Sequence, residues 1–303
     1  MTLAAEQQVG QQVTSRQLRR RQQGPSALTL LSPCLIIILG GLILPLLLMA
    51  RFSFNRFVPG QLMVQALTLE NYVRFFTDAY YLEVLFRTLW MALAATLVCL
   101  VLGLPAAYVL SRLKSRRLKT ALIFLTVVPL LMGNAVRAVG WIVLLADKGL
   151  INAILIHLNL IKEPVRILYT GKAVAIGLVA VLLPFMIITL QSVFDGISES
   201  YEEAAMSLGA RPLAMFRKVM LPMIMPGVFS GCLLCFVLAI NAYATPVLIG
   251  GPSFHMMGPK VYEQAIKVFN WPFAASLAFI LMAVTLTFTM TASLAIQRRY
   301  GRV

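Results

Sequence analysis

Long unbroken apolar runs, rather than an alternation of apolar and polar positions, organise this chain. Residues 27–50 include no charged side chain, and at 1.5 Å rise per residue a helix of that length covers the roughly 30 Å hydrocarbon core of a bilayer. Further runs that are free or nearly free of charge occupy 88–110, 121–145, 173–193, 227–248 and 273–295. Each is close to the length that a spanning helix requires. Lipid offers the backbone no hydrogen bonds, so a spanning segment must be a helix or part of a closed barrel, and uninterrupted runs of this length predict helices. The expected fold is an all-α integral membrane protein with six transmembrane helices. The first run is too long for the core of a signal peptide and no small-residue cleavage pattern follows it, so it is read as the first span. The remainder divides into a basic, Gln-rich tail over 1–26 and a single transmembrane domain over 27–303.

Composition agrees with this pattern: 60% of the 303 residues are hydrophobic and 12% are charged, more apolar surface than a soluble domain can hide. Charge then sets the orientation. The tail, 111–120, 194–226 and the C-terminal residues together carry 15 Lys and Arg, with Arg112, Lys114, Arg116, Arg117 and Lys119 close together. The alternate segments, 51–87, 147–172 and 250–272, are longer and carry ten, diluted by six acids. The positive-inside rule therefore places both termini in the cytoplasm. A net charge of +15 raises the question of nucleic acid, but its division among short inter-span segments reads as membrane topology, and no nucleic-acid partner is expected.

Few groups suggest bond-making chemistry. Cys34, Cys99, Cys232 and Cys235 all fall inside expected spans, and the Cys232-x-x-Cys235 pair lacks the accessible, βαβ context of a redox motif, so it is read as packing. His157 and His255 stand alone, and neither a metal site nor a cofactor nor a catalytic residue is expected. No GxxxxGK[ST] phosphate loop occurs, so any ATP-driven step is expected on a partner.

The most informative segment is 194–226. Ser198 or Ser200 can cap a first short helix, with Ser200 and Glu203 matching a capping box, and Glu199, Glu202 and Glu203 lie where the helix dipole favours acids. Gly209 stands where a left-handed C-cap would stop that helix. Pro212 suits the first turn of a second helix, which Pro222 would end or bend. The expected product is a helix-turn-helix hairpin at the membrane surface, with Ala204, Ala205 and Gly209 allowing close approach by another protein.

Glu203-Ala204-Ala205, three residues, Gly209, nine residues, then Val219-Met220-Leu221-Pro222 resembles the EAA signature of binding-protein-dependent ABC importer permeases, with Val219 in place of the usual Ile. The resemblance implies that 199–222 is a coupling segment in which Glu203, Ala204, Ala205, Gly209, Leu221 and Pro222 dock into an ATPase subunit. It implies two ATPase subunits, a second permease subunit of homologous but different sequence, a periplasmic solute-binding protein, and residence in a bacterial inner membrane. The chain itself would be a transport subunit without enzymatic activity. Looser matches, Pro129-Leu-Leu-Met-Gly-Asn134-Ala-Val-Arg137-Ala-Val-Gly-Trp141 with Gly149-Leu-Ile-Asn152, and Asn241-Ala-Tyr243-Ala-Thr245-Pro246 with Gly250-Gly-Pro252, resemble the spermidine/putrescine-type permease subgroup. That likeness implies a small organic solute, a polyamine or related cation.

Five residues at membrane depth are pathway candidates: Asn134, Arg137, Asn241, Tyr243 and Thr245. Arg137 either has a structural role, by snorkelling toward the outer interface, satisfying backbone carbonyls or holding a bend near Gly140, or faces a pathway. Asn241 and Thr245 share a helix face at four-residue spacing and serve either as helix-helix glue or as pathway contacts. The expected spans contain no carboxylate, so a cation would pass without a tight acidic site. A secondary transporter driven by an ion gradient is the alternative function; it predicts intramembrane carboxylates and internal repeats.

Overall fold

The computed structural model describes residues 27–60 and 63–300. Among these the chain is almost wholly helical, with one isolated antiparallel bridge between Arg56 and Val64, and six helices are long and apolar enough to cross a membrane. The basic tail expected over 1–26 lies outside the described residues. The chain divides into a first unit ending at Phe52 and a second beginning at Ser53. The first, as described, is helix α1 up to Phe52; the helix (Ala27–Ser53) accommodates Pro33 and Pro45 internally and carries Arg51 in its last turn.

The second unit contains α2 (Glu70–Thr77), α3 (Ala79–Ser111), α4 (Arg116–Leu131), α5 (Asn134–Leu145), α6 (Leu150–His157), α7 (Gly171–Asp195), α8 (Ser200–Ser207), α9 (Pro212–Met215), α10 (Leu221–Ile240), α11 (Ala244–Gly250), α12 (Met257–Tyr262) and α13 (Trp271–Tyr300). Its core lies where α3, α7 and α10 pack side by side, around Cys99, Leu178, Leu182, Met186, Leu190, Ile224 and Cys235. Helices surrounded by lipid gain little from the hydrophobic effect and associate through close packing of small residues. Gly103 of α3 and Gly231 of α10 both face Met186 of α7: a Cβ would lie 2.9 Å from its Cγ in the first case and 3.0 Å from its Sδ in the second. The thiols of Cys99 and Cys235 each reach an α7 carbonyl, of Val179 and Leu182 respectively, at 3.7 Å.

The closest of these approaches is Gly227 against Val193, where a Cβ would sit 2.3 Å from Val193 Cγ2. Val193 is β-branched and has no spare rotamer to yield. Gly227→Ala therefore destabilises the helix pair by about 1–3 kcal/mol, the cost of overpacking. Thermal unfolding in detergent is expected to show this loss, and Val193→Ala in the same chain is expected to recover most of it. An undiminished midpoint in the single variant refutes the packing argument.

Two runs that read as single spans are interrupted. The run 121–145 folds as α4 and α5, separated by extended backbone at Met132 and Gly133. Pro129 supplies no N–H to the last turn of α4, and the chain re-enters a helix only after Gly133. The apolar stretch long enough to cross there is Asn134–His157, which includes α6. The run 227–248 ends its helix at Ile240 and resumes as α11 from Ala244. Other helices exceed the charge-free runs; α3 begins at Ala79, where Asp78 accepts the Tyr80 N–H at 3.0 Å, because Glu83 and Arg87 pair along its surface rather than stopping it.

At the end of the unit away from α8, the strap following α1 is held by Asn71, whose Nδ2 donates to the carbonyls of Ser53 and Asn55 at 2.9 Å each. There Met257 N–H also donates to the buried Thr88 hydroxyl at 2.9 Å, fixing α12 onto α3.

Candidate functional site: a surface hairpin and a cavity at two helix breaks

After α7 the chain leaves the bundle through Gly196 and enters α8. Ser198 Oγ accepts the Ser200 N–H at 3.3 Å, while Glu199 occupies the N-cap without a side-chain bond. Ser200 thus lies inside the helix, and the Ser200–Glu203 capping box expected from the sequence does not form. The other end is as the sequence predicts. Gly209 has φ +82°; its N–H bonds to the Met206 carbonyl at 2.9 Å and the Ala210 N–H to that of Ala205 at 3.1 Å, the paired bonds of a Schellman turn. Arg211 is extended, and Pro212 opens α9 with its missing N–H at a position that needs none.

The second arm differs from the expected short helix. Phe216–Met220 forms a π-helical turn that runs directly into α10, with the Leu221 N–H bonded to the Phe216 carbonyl. This widened turn makes room for the ring of Pro222, which would otherwise collide with the carbonyl four residues earlier. Pro222 therefore neither ends nor separates the helix, and the hairpin is built onto the membrane-spanning helix itself. Glu203, Ala204, Gly209 and Pro222 are exposed, and Ala205 and Leu221 are half-buried. Beside the turn Leu208 is 90% exposed and Leu213 79%. Sequence reasoning did not single out these two leucines.

It also passed over Glu202 as a contact residue. Its carboxylate is buried: Tyr108 OH donates to Oε2 at 2.7 Å and Arg112 Nε to Oε1 at 2.7 Å. Arg112 Nη1 and Nη2 reach the Phe194 and Ile197 carbonyls at 3.3 Å each. Beside it Lys119 Nζ pairs with Asp195 at 2.8 Å, and Gln191 donates to the same carboxylate at 3.1 Å. Two members of the basic cluster at 111–120 thus hold the base of the hairpin. The only advance signal was the helical spacing of Glu202 with Ala205, three residues on, which put an acid beside a half-buried position.

The five pathway candidates converge. Asn134, Arg137, Asn241, Tyr243 and Thr245 line one cavity of 480 Å³, walled on its other side by α7 through Leu178, Val181, Leu182 and Phe185. The cavity sits at both helix breaks. Arg137 Nη1 donates to the Pro129 carbonyl at 3.0 Å, and Nη2 donates to Asn134 Oδ1, so one guanidinium spans the gap between α4 and α5. Its Nε is buried with no hydrogen-bond partner among the described residues. Asn241 and Thr245 do not share a helix face, because the helix ends between them: Asn241 closes α10, donating Nδ2 to the Val237 carbonyl at 2.9 Å, and Thr245 is buried in α11. The ring of Tyr243 packs on that of Tyr262 with centroids 4.7 Å apart.

Residues 99–301 match the family described as binding-protein-dependent transport system inner membrane component. The chain is 36% identical over 273 residues to the spermidine/putrescine transport system permease protein PotB of Escherichia coli strain K12, covering 89% of this chain and 97% of that one. It is 34% identical to the protein of the same description from Haemophilus influenzae, covering 80% and 85%. A chain in the crystal structure of a bacterial alginate ABC transporter, in complex with alginate pentasaccharide-bound periplasmic protein, shares the fold with TM-score 0.76 at 16% identity, over 90% of this chain and 94% of that one. With a family match across two thirds of its length and relatives matched over 80–89% of it, this chain belongs to the binding-protein-dependent transport system inner membrane components.

Proposed function

We propose that this chain is one permease subunit of an ATP-driven importer in a bacterial inner membrane, and that it carries a polyamine or a related small organic cation by alternating access. A second, homologous but different permease subunit would complete the pathway, two ATPase subunits would take the hairpins, and a periplasmic solute-binding protein would dock on the opposite face. Both termini would then be cytoplasmic, on the side of the hairpin, as the distribution of Lys and Arg argues.

The observation that carries this reading is the hairpin: a rigid glycine turn, flanked by Glu203, Ala204 and Ala205, that holds Leu208 and Leu213 out of the bundle. Leu208 and Leu213 flank the turn and offer apolar surface that suits a protein contact. ATP-driven closure of the ATPases would displace the hairpins and shift the equilibrium between inward- and outward-open forms; a loaded binding protein would bias the same equilibrium from outside. The described residues around the cavity include no carboxylate and do include Arg137. A cation would therefore be held only weakly there, which assigns selection to the binding protein and suits a path rather than a store. A gradient-driven carrier would instead call for carboxylates at that depth.

Crosslinking tests the assignment. In a cysteine-free background, Leu208→Cys is expected to react with thiol reagents only from the cytoplasmic side and to crosslink to the co-expressed ATPase subunit. Labelling from the periplasmic side, or a native rate of uptake without the ATPase subunit, rejects it.

A further inference from the structure

Resting on the proposed function above, we infer that Glu202, Arg112 and Tyr108 form a buried joint that makes α8 move as one body with α3 and α7, so that displacement of the hairpin is delivered to the α7 wall of the cavity. The three are positioning residues for transport.

Covalently, α8 is fixed to the root of α10 through the glycine turn, but it is tied to α7 only through the 196–199 linker, which does not transmit direction by itself. The joint removes that freedom. The side chains of Arg112 and Glu202 are 16% and 9% exposed, and their bonds join segments 90 residues apart in sequence. One guanidinium answers both the carboxylate of α8 and two carbonyls just at and beyond the C-terminal turn of α7, where the helix dipole also favours a cation. Only a planar fork of five donors can do this at once; a lysine ammonium cannot. Tyr108 closes the second carboxylate oxygen. Its ring meets Phe194 of α7 edge-on at 5.5 Å and Phe216 of the π-helical turn at 5.8 Å. Thus α3, α7, α8 and the root of α10 meet at one cluster.

What that body carries is defined at its other end. Leu178, Val181, Leu182 and Phe185 of α7 form one wall of the cavity. The rest of the lining comes from the end of α10 with Val237 and Leu238, from the α4–α5 break with Asn134 and Arg137, and from the second break with Asn241, Tyr243 and Thr245. Because α10 packs on α7 in the core as far as Ile240, those helices form one stiff lever, and the α4–α5 break and α11 are the hinged partners against which its movement changes the cavity.

The test uses the whole importer, reconstituted with its ATPase subunits and binding protein, and compares Tyr108→Phe, Glu202→Gln and the double variant. Four quantities are read: co-purified ATPase subunit, basal hydrolysis, stimulation by liganded binding protein, and solute imported per ATP hydrolysed. The expected result is native assembly and basal hydrolysis with solute imported per ATP lowered about tenfold, and no further loss in the double variant because both changes open the same joint. Unchanged import per ATP in Tyr108→Phe and Glu202→Gln overturns the inference. So does a loss of uptake that follows the loss of assembled complex, which assigns the cluster to folding alone. Where Glu202→Gln fails to accumulate, Tyr108→Phe decides, since it keeps the ring packing and deletes one hydroxyl. Import by the native protein without ATP hydrolysis would instead sink the importer reading itself.

Discussion

Substituting valine for Gly209 is expected to stop uptake while the permease still inserts in the membrane. Gly209 has φ +82° and nothing within 4 Å of where a Cβ would stand, so the penalty comes from backbone conformation and not from a clash. A left-handed residue with a Cβ costs about 1–2 kcal/mol, and β-branching adds to it because the side chain crowds its own backbone. At that cost the native turn loses roughly 5- to 30-fold in population, and the two Schellman bonds from Gly209 and Ala210 are lost together. Asn tolerates the left-handed region, so uptake is expected to fall in the order Gly, Asn, Ala, Val. Uptake into vesicles and the ATPase stimulation produced by liganded binding protein are the measurements. A valine variant that transports and stimulates at the native level removes the hairpin from the mechanism.

Loss of the Arg137 guanidinium is the second large effect. In Arg137→Ala the Pro129 carbonyl and the Asn134 side chain lose the group that spans the α4–α5 break, and a hydrogen bond to a charged donor contributes about 1.5–3 kcal/mol. The break then samples other geometries in the wall of the cavity, and uptake is expected to drop by about tenfold or more while the ATPase subunits still co-purify. Arg137→Lys keeps the charge but presents a single ammonium that cannot reach both acceptors in fixed geometry, so it is expected to recover only part of the rate. Native uptake by Arg137→Ala would show that neither the charge nor the clip serves transport.

The features legible in the sequence were those governed by short-range physics. Gly209 and Pro212 read correctly because a left-handed C-cap and a proline at the first helical position depend on the residue and its immediate neighbours. The capping box did not form because Ser198 supplies the first acceptor and draws Ser200 into the helix, a choice between neighbours of equal chemistry. Of the two outcomes expected at Pro222, ending the helix did not occur, for a different reason. A proline ordinarily breaks a helix, and here a π-helical turn immediately before it absorbs the ring.

By itself the sequence determined the number of apolar spans, the charge bias between their ends and the turn on which the hairpin is built, because bilayer thickness, charge placement and glycine conformation act on residues close together in the chain. Only the tertiary structure decided that 121–145 and 227–248 break at the same cavity, that Arg137 bridges one of those breaks, and that Glu202 is closed off by Tyr108 and Arg112. Each of these pairs groups whose separation in sequence carries no record of their distance in space. Burial in lipid or protein, where an unsatisfied polar group is costly, is what brings them together.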